Sequence, residues 1–437
     1  MATPTLTVYV AERDREIVGN ACLTIVPNLI NDCRPTAFVE PVLAAATHRR
    51  RGIGRLMLGA RSLGGMFAER FARVRGRMDE LGVDVVLLSV GPDLPWLTGY
   101  TAMPLERLTM LVLPRDADAV LVVPRLEAPR VVEHPEVFSL HPWDETDDPI
   151  AVVAGLVGSA ADGRLAIGDR TWSRFLLDLQ GALPDAGWGK ASGVVGSLRA
   201  VKDKAEVEAL RRAGAAVDAV AAELQAGRIP LVGRTEADIS AELGRRILDA
   251  GHQHVNFAIV AAGENAASPH HDASERVVRA GEVVLCDFGG TMLDDDGVGY
   301  CSDITRCVVA GGGPVPTQVA EAYAVLHEAQ QAAVAAAVVG TTCAEVDATA
   351  RRIISDAGLG ERFIHRTGHG IGVEEHEDPY IVAGNDTPLA AGHAFSIEPG
   401  IYVPDRFGLR LEDIVVASEA GPDALNTVDH TLVVVDA

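Results

Sequence analysis

The apolar and polar positions of this chain fall into three stretches of different period. In the first, residues 6–11 and 17–26 alternate with the two-residue period of a half-buried strand, and the polar run Glu12-Arg-Asp-Arg-Glu16 between them predicts a hairpin turn. Residues 38–43 read as another strand. Arg49-Arg-Arg-Gly52-Ile-Gly54-Arg-Leu-Met-Leu58 reads as a turn that opens a helix, and Gly64-Gly65 ends the stretch. In the second, residues 67–81 carry apolar positions at helical spacing and Gly82 caps them. The continuous apolar run 83–90 has the pattern of a strand buried on both faces. Residues 108–114 and 119–124 predict further strands, so 66–190 is expected to form an α/β layer of its own.

The third stretch, 191–437, opens on Leu198-Arg-Ala-Val-Lys-Asp-Lys-Ala-Glu206 and a long amphipathic helix to about residue 226. A second helix is predicted over 235–250. Strands follow near Phe257, over 283–289 and over 301–309, then helices over 316–339 and 343–357. Asp294-Asp-Asp-Gly297 predicts a hairpin tip, because Asp-Gly supplies the positive φ that tight hairpins need. It is no calcium loop, lacking the alternating acids and the later bidentate Glu.

Composition narrows the class. At 437 residues the chain has room for two or three domains, and 48% apolar with 23% charged residues describes a globular protein. A net charge of −23 argues against nucleic acid or an anionic membrane as partner. No apolar run is long enough to span a bilayer, and no basic region followed by an apolar core opens the chain. Cys22, Cys33, Cys286, Cys301, Cys307 and Cys343 form no regular framework and read as reduced thiols, so a cytoplasmic location is expected.

The chemistry lies in the last third. Asp287, Asp303, His369, Glu398 and Glu412 occur in the contexts Asp287-Phe-Gly-Gly, Tyr300-Cys-Ser-Asp303-Ile-Thr-Arg306, Thr367-Gly-His369-Gly-Ile-Gly372, Ser396-Ile-Glu398-Pro-Gly-Ile-Tyr402 and Arg410-Leu-Glu412-Asp413. These acids interrupt apolar strand-like runs, and buried acids need partners. Four carboxylates and one imidazole can hold two divalent metals side by side. Such a pair favours hydrolysis, since it acidifies water and stabilises a developing oxyanion.

In these motifs, residues 66–437 resemble the "pita-bread" hydrolases of the M24 class: prolidase (Xaa-Pro dipeptidase), aminopeptidase P and, more distantly, methionine aminopeptidase. Asp93-Leu-Pro-Trp-Leu-Thr-Gly99-Tyr100 and Pro269-His270-His271 belong to the same likeness. It implies a creatinase-like N-terminal α/β domain over 66–190 and a pita-bread catalytic domain over 191–437, an α/β (α+β) chain overall. It also implies that Asp287 binds one metal, Asp303 and Glu412 bridge two, and His369 and Glu398 complete the second site. Glu398 would double as general base, His270 and His376 would bind substrate and stabilise the tetrahedral intermediate, and Arg410 would orient Glu412. Oxygen-rich ligands favour Mn²⁺, with Zn²⁺, Co²⁺ or Fe²⁺ as alternatives. The implied substrates are proline-containing dipeptides or short peptides, and a homodimer is expected. Between Asp287 and Asp303 the chain is longer than the family's spacing, by the acidic tip at 292–298, and both acids keep one facing only if the extra residues sit in the turn.

Residues 39–58 resemble the acetyl-CoA-binding motif of GNAT acetyltransferases, with Arg49 to Gly54 in the place of the pyrophosphate loop. The opening helices and the half that closes the cofactor cleft are missing, so residues 1–65 read as a partial GNAT-like appendage. Three histidines carry secondary expectations: His365 as a structural hydrogen-bonding group, and His252 and His254 as lining of the substrate cleft. His270 is preferred to His271 as the active histidine. Two other classes compete with a peptidase: a non-peptidase hydrolase or lyase of the same fold, and an inert binding module.

Overall fold

A computed structural model describes residues 63–435 and, ahead of them, four strands. The chain divides into two compact units, Met1–Ala72 with His134–Val137, and Arg73–Glu133 with Phe138–Ala437.

In the first unit β1 (Leu6–Arg13) and β2 (Glu16–Pro27) form the expected antiparallel hairpin, with Leu6 opposite Thr24 and Arg13 opposite Glu16. The strand expected over 38–43 is observed as two, β3 (Pro35–Val39) and β4 (Leu43–Ala44), both paired with β2. Pro41, between them in sequence, has no N–H to give a ladder. The helix expected after Arg49-Arg-Arg-Gly52 lies outside the described residues, as do the side chains of Cys22 and Cys33. The helix expected over 67–81 is α1 (Leu63–Leu81), whose first turn includes Gly64-Gly65.

The second unit begins with a six-stranded sheet. It contains β5 (Val85–Leu88), β6 (Met110–Pro114), β7 (Ala119–Pro124), β8 (Phe138–Trp143), β9 (Arg164–Ile167) and β10 (Gly187–Lys190) in the order β10-β9-β5-β6-β7-β8. Every residue of β5 is buried, as its unbroken apolar run predicts. A short helix, α2 (Asp93–Thr98), follows β5, and Gly99 closes it in the left-handed conformation at φ 69°. Helices α3 (Pro149–Val157) and α4 (Ser173–Ala182) cover one face through Val153, Val157, Phe175 and Leu179.

After α5 (Gly196–Ala200) the long helix α6 (Lys204–Gln225) starts at a capping box made by Asp203 and Glu206, and α7 (Glu236–Asp249) is capped by Thr235. One sheet then runs β11-β12-β14-β22, built from β11 (His254–Ala262), β12 (Val283–Leu293), β14 (Ile304–Ala310) and β22 (Val433–Val435), with β13 (Gly299–Cys301) paired to β12. A second runs β16-β15-β17-β20-β21, built from β15 (Gly368–Gly370), β16 (Glu377–Ile381), β17 (Ala394–Ile397), β20 (Asp413–Val416) and β21 (Asp423–Ala424). The hairpin β18 (Gly400–Val403) and β19 (Phe407–Arg410) stands beside them. Helices α8 (Thr317–Ala336) and α9 (Cys343–Asp356) complete the domain. The helix expected to reach residue 339 stops at Ala336.

The two-residue period of β12 and β14 sorts their side chains between two cores. Val284, Cys286, Phe288, Ile304 and Val308 pack with α6 and α7. Val283, Leu285, Cys307 and Val309 face the cluster shared with α8, α9 and the second sheet. Asp287 and Thr305 sit opposite each other on that second face, so strand parity aims Asp287 between the sheets and Cys286 away from it. The four described cysteines are free and buried. No helix among the described residues is long and apolar enough to cross a membrane.

Candidate metal centre

The five expected ligands converge on one cavity of about 590 Å³, which His270, His365, Arg366, Glu375, His376 and Arg410 also line. They come from separate elements: Asp287 from mid-β12, Asp303 from the link between β13 and β14, His369 from β15, Glu398 from the end of β17, and Glu412 from between β19 and β20. The long stretch before Asp303 leaves the register intact. Asp294 and Val298 close the hairpin end at 2.8 Å, Gly297 takes φ 82°, and Asp287 stays opposite Thr305. Met292 and Leu293 of the acidic-tip stretch pair with Tyr300 and Gly299, and residues 294–298 form the turn, so the register is kept.

The glycines around His369 follow from packing. A Cβ on Gly368 would stand 1.8 Å from the Ser396 carbonyl oxygen, and one on Gly370 2.3 Å from that of Asp378. Only a bare backbone lets β15 pass this close to its neighbours. The His369 N–H then bonds Ser396 Oγ at 3.0 Å, and the same hydroxyl donates to Glu398 Oε1 at 3.3 Å.

Asp303, His369 and Glu412 each offer a ligand atom within 4.8 Å of the other two. His369 Nε2 lies 3.7 Å from Asp303 Oδ2 and 3.4 Å from Glu398 Oε1. Asp287 Oδ2 pairs with Arg410 Nη2 at 2.5 Å. Thr305 Oγ1 links the cluster, donating to Glu412 Oε2 at 2.7 Å and accepting from Arg410 Nε at 3.0 Å. Arg410 thus reaches Glu412 through Thr305, while its direct carboxylate partner is Asp287.

These residues suit divalent ions. Asp287 Oδ1, Asp303 Oδ1 and Glu412 Oε1 are buried with no hydrogen-bond partner, an arrangement that costs about 1–3 kcal/mol for each orphaned group. Burial, reinforced by the neighbouring carboxylates, pushes Asp303 and Glu412 well above the usual carboxylate range, and burial pushes Glu398 up to about 7. Burial first, then the charge of His376, holds His369 well below the ordinary imidazole value, which leaves it neutral and able to ligate.

The other histidines separate by partner. His271 Nε2 bonds Glu236 at 2.8 Å, which leaves His270 as the one of the pair that lines the cavity. His376 faces His369 with ring centroids 4.0 Å apart. His365 is tied to Tyr402 Oη at 2.8 Å and to the Arg366 carbonyl at 2.7 Å, and burial holds its pKa near 4, consistent with a structural role. His252 and His254 do not line this cavity. His252 is buried against Ser302 Oγ at 2.8 Å, and His254 is exposed at the start of β11. Their place beside the Gly251 helix end gave no sign of this: the His252 N–H closes back on the Ile247 carbonyl, and strand pairing sets His254.

Three site residues escaped the sequence reading. Arg366 lines the cavity with its guanidinium 4.5 Å above the Tyr380 ring. Glu375 faces the same space. Glu236, at the start of α7, is fully buried and accepts from the Ala262 N–H at 2.8 Å, Asn265 Nδ2 at 3.0 Å, Ser274 Oγ at 2.6 Å and His271. It thereby fastens the segment that presents His270. Burial raises its pKa, but these hydrogen bonds outweigh burial and leave the carboxyl below the ordinary range. A group lowered on folding contributes its full stability above the unfolded value and loses it as pH falls through the folded one. Glu236→Gln is expected to cost about 2–3 kcal/mol at neutral pH, judged by bonds to a charged acceptor. The gap from the parent, read by urea unfolding, should close as pH falls through and below the ordinary carboxylate range.

An α/β layer joined to a two-sheet domain with carboxylates and imidazole around one cavity defines a metal-dependent hydrolase. The model of metallopeptidase family M24 matches residues 208–419, that of the creatinase/prolidase N-terminal domain residues 70–201, and that of the acetyltransferase (GNAT) family residues 2–61. A Mycobacterium tuberculosis protein described as "Probable dipeptidase PepE" is 42% identical over 376 residues, 85% of this chain and 97% of that protein. The "Xaa-Pro dipeptidase" of Lactobacillus helveticus is 38% identical over 363 residues, 80% of this chain and 93% of that one. Among solved structures, dipeptidase PepE from Mycobacterium ulcerans superposes with TM-score 0.79 at 42% identity, covering 85% of this chain and 98% of that one. This chain belongs to metallopeptidase family M24. It is a peptidase of pita-bread fold whose family works with divalent metal ions.

Proposed function

We propose that the chain cleaves the Xaa-Pro bond of dipeptides with two divalent ions, Mn²⁺ preferred, held by Asp287, Asp303, His369, Glu398 and Glu412. The observation that carries this reading is the trio of buried carboxylate oxygens without partners beside a neutral imidazole in one cavity. Two ions there supply Lewis-acid polarisation of the scissile carbonyl and a water acidic enough to react near neutral pH. That chemistry needs no N–H on the scissile amide, so it suits a bond to proline.

The chain's own residues do the rest. Glu398, at the end of β17 beside His369, stands where it can accept a proton from water and return it to the leaving nitrogen. His270 and His376 hydrogen-bond the substrate carbonyl and stabilise the tetrahedral oxygen. His376 is held below its ordinary pKa by burial and then by the Arg366 charge, so it acts as a neutral donor. No carboxylate within salt-bridge reach pairs with Arg366 among the described residues, whereas Arg410 is engaged with Asp287. A free cation in a small cavity suits the carboxylate of a dipeptide, and this favours a dipeptidase over an enzyme of longer peptides.

Hydrolysis of an Xaa-Pro panel with Mn²⁺, and with chelator in its place, tests the reading. Cleavage that Mn²⁺ supports and chelator abolishes is expected, with Ala-Pro favoured over Ala-Pro-amide. A metal-loaded chain that cleaves no Xaa-Pro dipeptide, or one that is indifferent to chelator, would refute it.

A further inference from the structure

His376 lines not only the metal cavity but also a second cleft of about 430 Å³, shared between the α/β layer and the catalytic sheets. The acids on either side of it in sequence, Glu374 and Glu377, turn into that cleft. Arg199, in the last turn of α5, grips both. Its side chain is 7% exposed, Nη2 is 3.2 Å from Glu374 Oε2, and it also bonds Glu377. Its other nitrogen, Nη1, lies 2.7 Å from Asp93 Oδ1 in the α/β layer. Lys202 bonds Glu377 from the linker, and Arg170, beyond β9, bonds Glu374.

Three cations and three acids therefore close on one another around the turn that presents His376. Packing leaves that turn little room. A Cβ on Gly372 would meet Glu377 Oε1 at 2.6 Å and Lys202 Cε at 3.0 Å. The Gly372 N–H bonds the Glu374 carbonyl at 3.0 Å, and the Gly372 carbonyl accepts from Cys301 N at 2.8 Å. The Asp93-Leu-Pro-Trp motif makes a second tie. Trp96 Nε1 donates to Glu206 at 2.8 Å, and Tyr300 on β13 donates to the same carboxylate at 3.0 Å.

Buried charge networks return little net stability, because desolvation offsets most of their attraction. What such a network supplies is fixed geometry. We propose that Asp93, Arg199 and Glu374 are positioning residues through which the α/β layer sets the His376 imidazole against the substrate. This rests on the role given to His376 above. The N-terminal layer then takes part in turnover without touching the reacting atoms.

The test uses Asp93→Asn and Glu374→Gln in the full metal-loaded chain, each made in the parent and in His376→Ala. A displacement of about 1 Å at a group in contact with substrate costs up to about 100-fold, so each is expected to lower kcat by about 10-fold or more in the parent. KM and bound metal should hold. In the His376→Ala background the same changes should add less than about twofold, because the group they act through is gone. Amide exchange over 372–378 should quicken in both variants. Parental kcat in both variants, equal losses in the two backgrounds, or unchanged exchange over 372–378 would each overturn the proposal. Parental turnover by His376→Ala alone would show that the assignment of His376 had failed, a separate result that the single variant reads directly.

Discussion

Glu398→Ala should be inactive. The side chain stands where three demands meet: Oε1 lies 3.4 Å from His369 Nε2 and takes the Ser396 hydroxyl at 3.3 Å, while Oε2 lies 3.9 Å from Arg410 Nε. Before metal binds, burial raises its carboxyl to about 7. Removing a positioned general base costs about 10²- to 10⁴-fold. On the proposed assignment a metal ligand goes with it, so kcat should fall at least to the far end of that range. Bound Mn²⁺ should drop from about two ions per chain to one or fewer if this is a two-metal site. Metal analysis beside steady-state kinetics separates the two losses. An alanine variant that keeps turnover within about tenfold of the parent would mean that Glu398 is neither base nor ligand.

Arg410→Met should unfold most readily when metal is stripped away. Arg410 is 3% exposed and bonds Asp287 at 2.5 Å, Thr305 at 3.0 Å, Tyr402 Oη at 2.9 Å and the Pro269 carbonyl at 3.4 Å. In the metal-free chain it is the cation bonded directly to this carboxylate cluster. Methionine fills similar volume but leaves Asp287 buried without its counter-charge, a situation that typically costs about 3–5 kcal/mol. Divalent ions restore positive charge to the same oxygens, so the deficit should shrink when metal is added. Urea unfolding of parent and variant, with chelator and with Mn²⁺, measures both values. A metal-free variant as stable as the parent would show that Arg410 is not the counter-charge this cluster needs.

Much of the catalytic half was legible before any coordinates. The acids at 287, 303, 398 and 412 stand out because they break apolar runs where an unpaired charge is costly. The Asp-Gly tip at 294–297 announced its hairpin, and the registers on either side of it followed. Thr305, Ser396 and Tyr402 were in plain sight inside the motifs, yet nothing local marks a hydroxyl as the link between two side chains of the site. Glu236 and Arg366 gave no signal. One sits in the first turn of a helix, where acids are ordinary; the other follows a histidine in a motif whose attention falls on its imidazoles. The strand expected over 38–43 went astray because local propensity yields to the pairing around it.

The amino-acid sequence alone determined which side chains are available to ligate, how strand parity separates Asp287 from Cys286, and that an α/β layer precedes a metal-binding domain. These are local matters: residue chemistry, period and turn type act over a few neighbours. Only the tertiary structure decided that His270 rather than His271 reaches the cavity, that Arg410 pairs with Asp287 and meets Glu412 through Thr305, and that Asp93 shares a guanidinium with Glu374 across 281 positions of chain. Those outcomes depend on which surfaces meet when sheets and helices pack, and the free energy of a buried charge is set by whatever atoms that packing brings within a few ångströms of it.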